Sequence, residues 1–353
     1  MRALALAYPK GSPVSDRAAP APAPPAPASA PSAGRLAPSA LLARHGALVA
    51  LAALLLVALV VTPNFLSLRT LNVNLTQVAA VVIVALGMTL VVATGGIDLS
   101  VGSLMAISGA LAPMLFMGKL VPLPAPWVGV ALAFTVPVLV AGALGWFNGW
   151  LITRYRVQPI VATLVLLIAG RGIAQVMTNG NLQAFNNPAF QVIGLGRVLG
   201  LPVQVWIMLA LVGLFAWLMR RTVFGRHILA VGGNEAAARL AGVPVARVKR
   251  RVYAISGLCA GLAGLVVIAI NSASDANLVG LGMELDAIAA VAVGGTALSG
   301  GRARIGGTLV GALIIQLVRY ILLAVGVPDA AALVVKAGLI VGAVWLQRRG
   351  RAA

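Results

Sequence analysis

A single acidic residue, Asp98, stands in the stretch Thr94-Gly95-Gly96-Ile97-Asp98-Leu99-Ser100-Val101-Gly102-Ser103, and the apolar runs on either side (78–93 and 101–117) carry no charge. A carboxylate at such a boundary is costly in hydrocarbon, so it needs water, a helix end or a partner. Gly95-Gly96 can break one helix, and Asp98 or Ser100 can cap the next. Interrupted helices of this kind fit solute transport better than simple anchoring. The same pattern leaves a second chemistry open: an ion-coupled secondary carrier would use an intramembrane carboxylate as its coupling site, and Asp98 is the candidate.

Other residue types offer less. His45 and His227 are the only histidines and stand in no metal-ligand frame, so no metal site has a ligand set. None of the four lysines (Lys10, Lys119, Lys249, Lys336) follows a glycine frame suited to phosphate. The Gly194, Gly196, Gly200 spacing is wrong for a dinucleotide fingerprint. This inventory argues against an enzyme. Asp275, Glu284 and Asp286 fall on the predicted outer side, where Glu284 and Asp286 suit a helix start or a basic patch on an outer partner. Arg171, in Ala169-Gly-Arg-Gly172, is expected to face the interior of a bundle.

The elements that must position these groups are membrane helices. Of 353 residues, 61% are hydrophobic and 9% charged, against roughly 25% charged in soluble domains. Apolar runs near 45–62, 73–93, 99–117, 126–151, 159–178, 203–219, 252–271, 284–298, 305–325 and 331–347 predict an all-α polytopic bundle of about ten transmembrane helices. The helices break near 94–100 and 294–300. The 284–298 segment is short enough for a half-helix. Residues 1–40, with Ala-Pro-Ala-Pro-Pro-Ala-Pro at 21–27, read as a disordered extension, and 41–353 as one membrane domain. The lone cysteine, Cys259, can form no internal disulfide.

A net charge of +19 could suggest nucleic acid, but the basic residues collect in short loops beside the spans. With the N-terminus inside, twenty Lys and Arg fall in inner segments, eight of them in 220–251, and three (Arg69, Lys119, Arg197) fall outside. Both termini are therefore expected in the cytoplasm. Within 220–251, Asn234 is a good N-cap, Glu235 suits the positive helix end, and Gly242 and Pro244 stop the helix. The segment is either a capped surface helix or a rigid lever for a cytosolic partner. Gly145/Gly149, Gly257/Gly261, Gly307/Gly311 and Gly338/Gly342 are expected to serve helix packing. An internal echo, 92–102 against 291–301, matches at seven of eleven positions, which suggests two breaks facing one central pathway.

Thr94 to Gly102, Gly225-x-x-x-x-Ala230-Val-Gly-Gly-Asn234 and Glu284 to Gly301 together resemble the ribose-type permeases of bacterial ABC importers. The resemblance covers about residues 45–347. Phe185-Asn186-Asn187-Pro188 and Val334-Val335-Lys336-Ala337 are most similar to the galactofuranose-type branch. The resemblance implies a permease subunit for a monosaccharide in the bacterial inner membrane, paired with a second permease subunit that is identical or a sister chain. A periplasmic sugar-binding protein would supply the substrate, and a separate cytoplasmic ATPase would hold the ATP, with no cofactor in this chain. It also implies that the 220–251 loop couples to the ATPase through Gly225, Gly233, Asn234, Glu235, Ala236, Ala237 and Gly242. The general permease pattern spaces Glu-Ala-Ala three residues from Gly. Here four residues separate Ala237 from Gly242, so that general motif is not present. Gly95, Gly96, Asp98, Ser100, Gly294, Gly295 and Thr296 are the candidates for the translocation path.

Overall fold

Among the described residues the chain forms twelve continuous helices and two short β-ladders, seen in a computed structural model that describes residues 38–120, 122, 124–328 and the scattered positions 331, 334, 335, 337, 338 and 342. The expected extension therefore lies outside the described residues, except that α1 (Pro38–Val61) already includes its last three positions. The tenth expected span, 331–347, is described at six scattered positions only, and the basic tail lies outside the described residues. The other nine spans all appear as helices: α1, α2 (Leu68–Ala93), α3 (Val101–Phe116), α4 (Pro126–Tyr155), α5 (Pro159–Thr178), α7 (Val203–Arg221), α10 (Val245–Asn271), α11 (Met283–Val293) and α12 (Ile305–Ala324). Six of them are long and apolar enough to cross a bilayer: α2, α4, α5, α7, α10 and α12.

α2 is the axis of the fold. It has the highest mean hydropathy of the six, 2.4, and 83% of its apolar window is buried. Its residues 78–93 are buried on every side, as expected for a helix that is apolar all round. α7, α8 (Val223–Gly233), α10, α11 and α12 contact it. α5 and α7 bury far less of themselves and leave apolar faces outward.

Close approach between helices comes from small residues. A methyl group on Gly145 would overlap the Tyr253 carbonyl, and one on Gly257 would overlap the Ala141 carbonyl, so α4 and α10 touch backbone to backbone. Gly311 on α12 meets Ala290 of α11, and Gly307 meets Gly294 just past its end, in the same way. Three of the four glycine pairs seen in the sequence thus lie in two tight interfaces. Gly338 and Gly342 stand in the sparsely described tail.

Two helices differ from the hydropathy pattern. α10 starts at Val245, seven residues before the apolar run, and carries Arg247, Lys249, Arg250 and Arg251 in its first two turns. Hydropathy marks the bilayer, whereas the helix continues beyond it. α11 ends at Val293 after 11 residues. It is about 16 Å long, roughly half of the ~30 Å hydrocarbon thickness, so it is a half-helix.

The segment 220–251, the break at 94–100 and the turn at 300–304 lie at one end of the bundle, which is its basic end. At the other end β1 (Gln183–Ala184) pairs with β4 (Ala273–Ser274), and β2 (Arg197–Val198) forms a hairpin with β3 (Leu201–Pro202). Between them α6 (Pro188–Leu195) starts on the Asn187 cap. It buries Phe190 among Phe116, Phe134 and Phe185. The sequence showed only loop here, because eight residues are too few for a helical period to stand out.

Gly257→Ala should lower the thermal unfolding midpoint in detergent, by an overpacking cost of roughly 1–3 kcal/mol. Gly213→Ala, whose added methyl would meet nothing within 4 Å, should leave it unchanged. Equal midpoints for both variants would remove the α4–α10 contact from this account.

Candidate functional site

The two breaks predicted from the sequence are built alike. α2 ends at Ala93; Gly95 takes φ +79° and its N–H bonds to the Val92 carbonyl, and the Gly96 N–H bonds to the Val91 carbonyl. α11 ends at Val293; Gly295 takes φ +81°, its N–H bonds to the Ala292 carbonyl, and the Thr296 N–H bonds to the Val291 carbonyl. This is the Schellman pattern of helix termination, with a left-handed residue just past the cap. In the lettered echo Gly95 aligns with Gly294, but by conformation its counterpart is Gly295. The two terminations are alike in form, one residue out of step with the letter match.

Asp98 joins the first break to two other helices. The Ser100 N–H and the Ser100 Oγ–H donate to its Oδ1 at 3.0 and 2.6 Å, and the Ser256 Oγ–H of α10 donates to its Oδ2 at 2.8 Å. Asn148 of α4 donates from Nδ2 to Ser100 Oγ at 3.1 Å. Tyr253 of α10 donates its hydroxyl to the Ile97 carbonyl at 3.2 Å. Asp98, Ser100, Ser256 and Asn148 are all buried. Thr296 is also buried, and its Oγ1 accepts the Arg304 N–H at 3.1 Å, just before α12 begins. In this conformation the polar path candidates Asp98, Ser100 and Thr296 face other protein groups, and Gly294 faces Gly307.

At the basic end α8 (Val223–Gly233) follows α7 directly, with Thr222 Oγ1 accepting the Gly225 N–H at 3.1 Å. This helix was not legible beforehand, since its glycines mask the period. α9 (Glu235–Leu240) is the short helix that the sequence led us to expect. Asn234 Oδ1 accepts the Ala237 N–H at 3.0 Å. Gly242, at φ +80°, and Val243 close the other end by bonding to the Arg239 and Ala238 carbonyls. Leu240 is 91% exposed.

Glu235 does more than suit the helix dipole. Its Oε2 meets Lys249 Nζ of α10 at 2.6 Å, and its Oε1 meets Arg239 Nη2 at 3.2 Å. The Lys249 hydrogen bond holds this carboxyl below its ordinary value of 4.5, against a smaller opposing effect of burial. A depressed carboxyl keeps its stabilising contact above the ordinary value and loses it only as pH falls through the lower folded one. The tether is therefore intact near neutrality. Lys249 went unnoticed in the sequence because it lies 14 residues from Glu235, across a turn.

Arg171 does face the interior. Its Nη1 donates to the Ala276 and Val279 carbonyls at 2.9 and 2.5 Å, and its Nη2 to the Gly102 carbonyl at 3.4 Å. Glu284 and Asp286 stand in the first turn of α11, as the helix-start reading expects, and Gly280 and Glu284 pack against Gly102 at the start of α3. Asp275 does lie in a loop, where its Oδ1 accepts the Asn277 N–H at 2.8 Å. Among the described residues no three His, Cys, Asp or Glu side chains gather as a metal site would require.

The family described as "Branched-chain amino acid transport system / permease component" matches residues 70–344. The ribose import permease protein RbsC of Escherichia coli is 42% identical over 313 residues, covering 87% of this chain and 94% of that one. This chain belongs to the ribose-type permease family of ABC importers. The galactofuranose transporter permease protein YtfT of Escherichia coli is 41% identical over 83% of this chain and 86% of its own length. The L-arabinose ABC transporter permease protein AraH of Azospirillum brasilense is 35% identical over 88% and 89%. No solved structure gives a significant match.

A ribose-type permease is a transport subunit rather than an enzyme, and a multi-pass membrane protein, as the six apolar helices require. The ion-coupled carrier reading finds no support in these relatives. Asp98→Ala in this permease strands two hydroxyls and one N–H in a buried site, at about 1–3 kcal/mol each. It should lower the unfolding midpoint and the yield of inserted protein. Asp98→Asn keeps an acceptor toward Ser100 and gains a donor toward Ser256, so it should stay close to the parent on both measures.

Proposed function

We propose that this chain is the membrane permease of an importer that moves a monosaccharide of the ribose or galactofuranose type into the bacterial cytoplasm. A separate ATPase drives the movement, and a periplasmic sugar-binding protein supplies the substrate. Support for a sugar comes from relatives named for ribose, galactofuranose and arabinose import that span most of this chain. Support for the coupling role comes from one observation above all. α9 is capped at both ends, tethered through Glu235 to Lys249, and presents Leu240 to solvent at the basic end. A stub this rigid transmits a push instead of folding under it.

The basic end is the cytoplasmic one in this reading, by the same excess of Lys and Arg that orients other polytopic proteins. Two permease subunits, identical or sister chains, enclose the path. The apolar faces of α5 and α7 are available for lipid or for the second subunit. ATP binding closes the ATPase pair, moves α9, and shifts the population between outward- and inward-open states. The helices broken at Gly95-Gly96 and Gly294-Gly295 re-pack as that shift occurs, which brings residues that are buried here toward the path.

Proteoliposomes holding the permease, its ATPase and its loaded binding protein should take up sugar when ATP is supplied on the ATPase side. Glu235→Lys combined with Gly242→Trp should abolish sugar-stimulated ATP hydrolysis while the complex still assembles. Unchanged coupled hydrolysis would reject α9 as the lever. Uptake driven by a proton or sodium gradient without ATP would reject the importer reading.

A further inference from the structure

We infer that Gly232 is the positioning residue through which the α8–α9 segment acts on both broken helices at once, an inference that rests on the coupling role proposed above. The last carbonyls of a helix lack intrahelical partners. The Ala93 carbonyl, at the end of α2, is satisfied by the Gly301 N–H at 3.0 Å. That one bond ties the end of α2 to the turn that follows α11. Gly232, next to last in α8, lies against it: a methyl there would overlap the Ala93 carbonyl and come within 2.6 Å of the Gly301 nitrogen. A methyl on Gly300 would stand 2.7 Å from the Gly232 carbonyl oxygen and 2.9 Å from the Gly95 nitrogen, and one on Gly301 would stand 3.0 Å from the Gly233 Cα.

Three segments distant in sequence, 93–95, 232–233 and 300–301, therefore meet by backbone alone. Side chains between moving parts absorb small displacements by changing rotamer. The contacts here are backbone to backbone, so a shift of α8 moves both breaks or pulls the Gly301 bond apart. Gly233 ends α8 and Asn234 caps α9, so the junction stands one residue from the stub. The linkage has a second grip. Glu235 holds α10 through Lys249, and α10 holds the first break through Tyr253 and Ser256. A force on α9 thus reaches residues 94–98 from two sides, and this contiguous contact is the physical basis of the coupling.

The test uses the reconstituted complex of permease, ATPase and loaded binding protein. Gly232→Ala should assemble and hydrolyse ATP at close to the basal rate of the parent. The sugar moved per ATP should fall about tenfold or more, within the usual range of coupling free energies. Gly213→Ala on α7, whose methyl meets nothing within 4 Å, should match the parent. A parental ratio of sugar to ATP in Gly232→Ala overturns the inference, because a purely structural role would lower assembly and leave the ratio alone. If Gly232→Ala does not assemble, hydrogen exchange on the parent complex decides. Amides 300–302 should exchange at different rates in the nucleotide-free and ATP-analogue-bound states, and identical rates overturn the inference. Absence of ATP-driven uptake by the parent would instead reject the importer reading, so the two failures stay distinct.

Discussion

An interrupted helix inside a bilayer exposes backbone groups to a medium that cannot solvate them, and this constraint governs the permease. Every stranded carbonyl and N–H near the breaks has to find a partner in the protein. The first break meets the demand with Gly95 and Gly96 folded back on Val92 and Val91, with Asp98 accepting the Ser100 N–H, and with the Tyr253 hydroxyl on the Ile97 carbonyl. The second meets it with Gly295 and Thr296, and with Thr296 Oγ1 accepting the Arg304 N–H. Between them the Gly301 N–H covers the Ala93 carbonyl. Asp98 serves here as the acceptor for the Ser100 and Ser256 donors just before α3 begins.

Close packing follows from the same constraint. Partners for backbone groups must arrive at hydrogen-bond distance, so the helices that deliver them have to approach closely. Small residues at Gly145, Gly149, Gly257 and Gly261 bring α10 onto α4, and this sets Ser256 and Tyr253 beneath the first break. Gly307 and Gly311 do the same for α12 and α11 at the second. Glycine spacing on one pair of helices and hydrogen bonding at the neighbouring break are one arrangement.

Local features were legible in the sequence, and contacts between distant segments were not. Run length gave the spans, because the bilayer sets it. Gly95-Gly96 and Gly294-Gly295 gave the breaks, and Asn234 with Gly242 gave α9, because caps depend on neighbours in the chain. The letters placed the second break one residue off, since either glycine of a pair can take the left-handed conformation and only the surrounding partners select one. Lys249 beneath Glu235, Arg171 on the Ala276 and Val279 carbonyls, and the meeting of Gly232 with Ala93 join residues far apart in the chain, and nothing in the local pattern announces them. The contact of Glu284 with Gly102 was hidden for the same reason.

The energy scale limits how such breaks can move. Shifting a two-state equilibrium from 1:99 to 99:1 takes about 5.5 kcal/mol of differential interaction. A buried polar group left without a partner costs about 1–3 kcal/mol. Releasing Gly301 from Ala93 orphans two groups, and loosening Asp98 from Ser100 and Ser256 orphans several more. An opening that simply pulled these bonds apart would therefore add a cost at least as large as the shift itself requires. The second state must offer the same groups new partners, in protein or in the water of an opened path. Under the proposed mechanism the junction would be bistable, with two satisfied arrangements separated by a poorly satisfied one, and the stub at α9 would only have to decide between them.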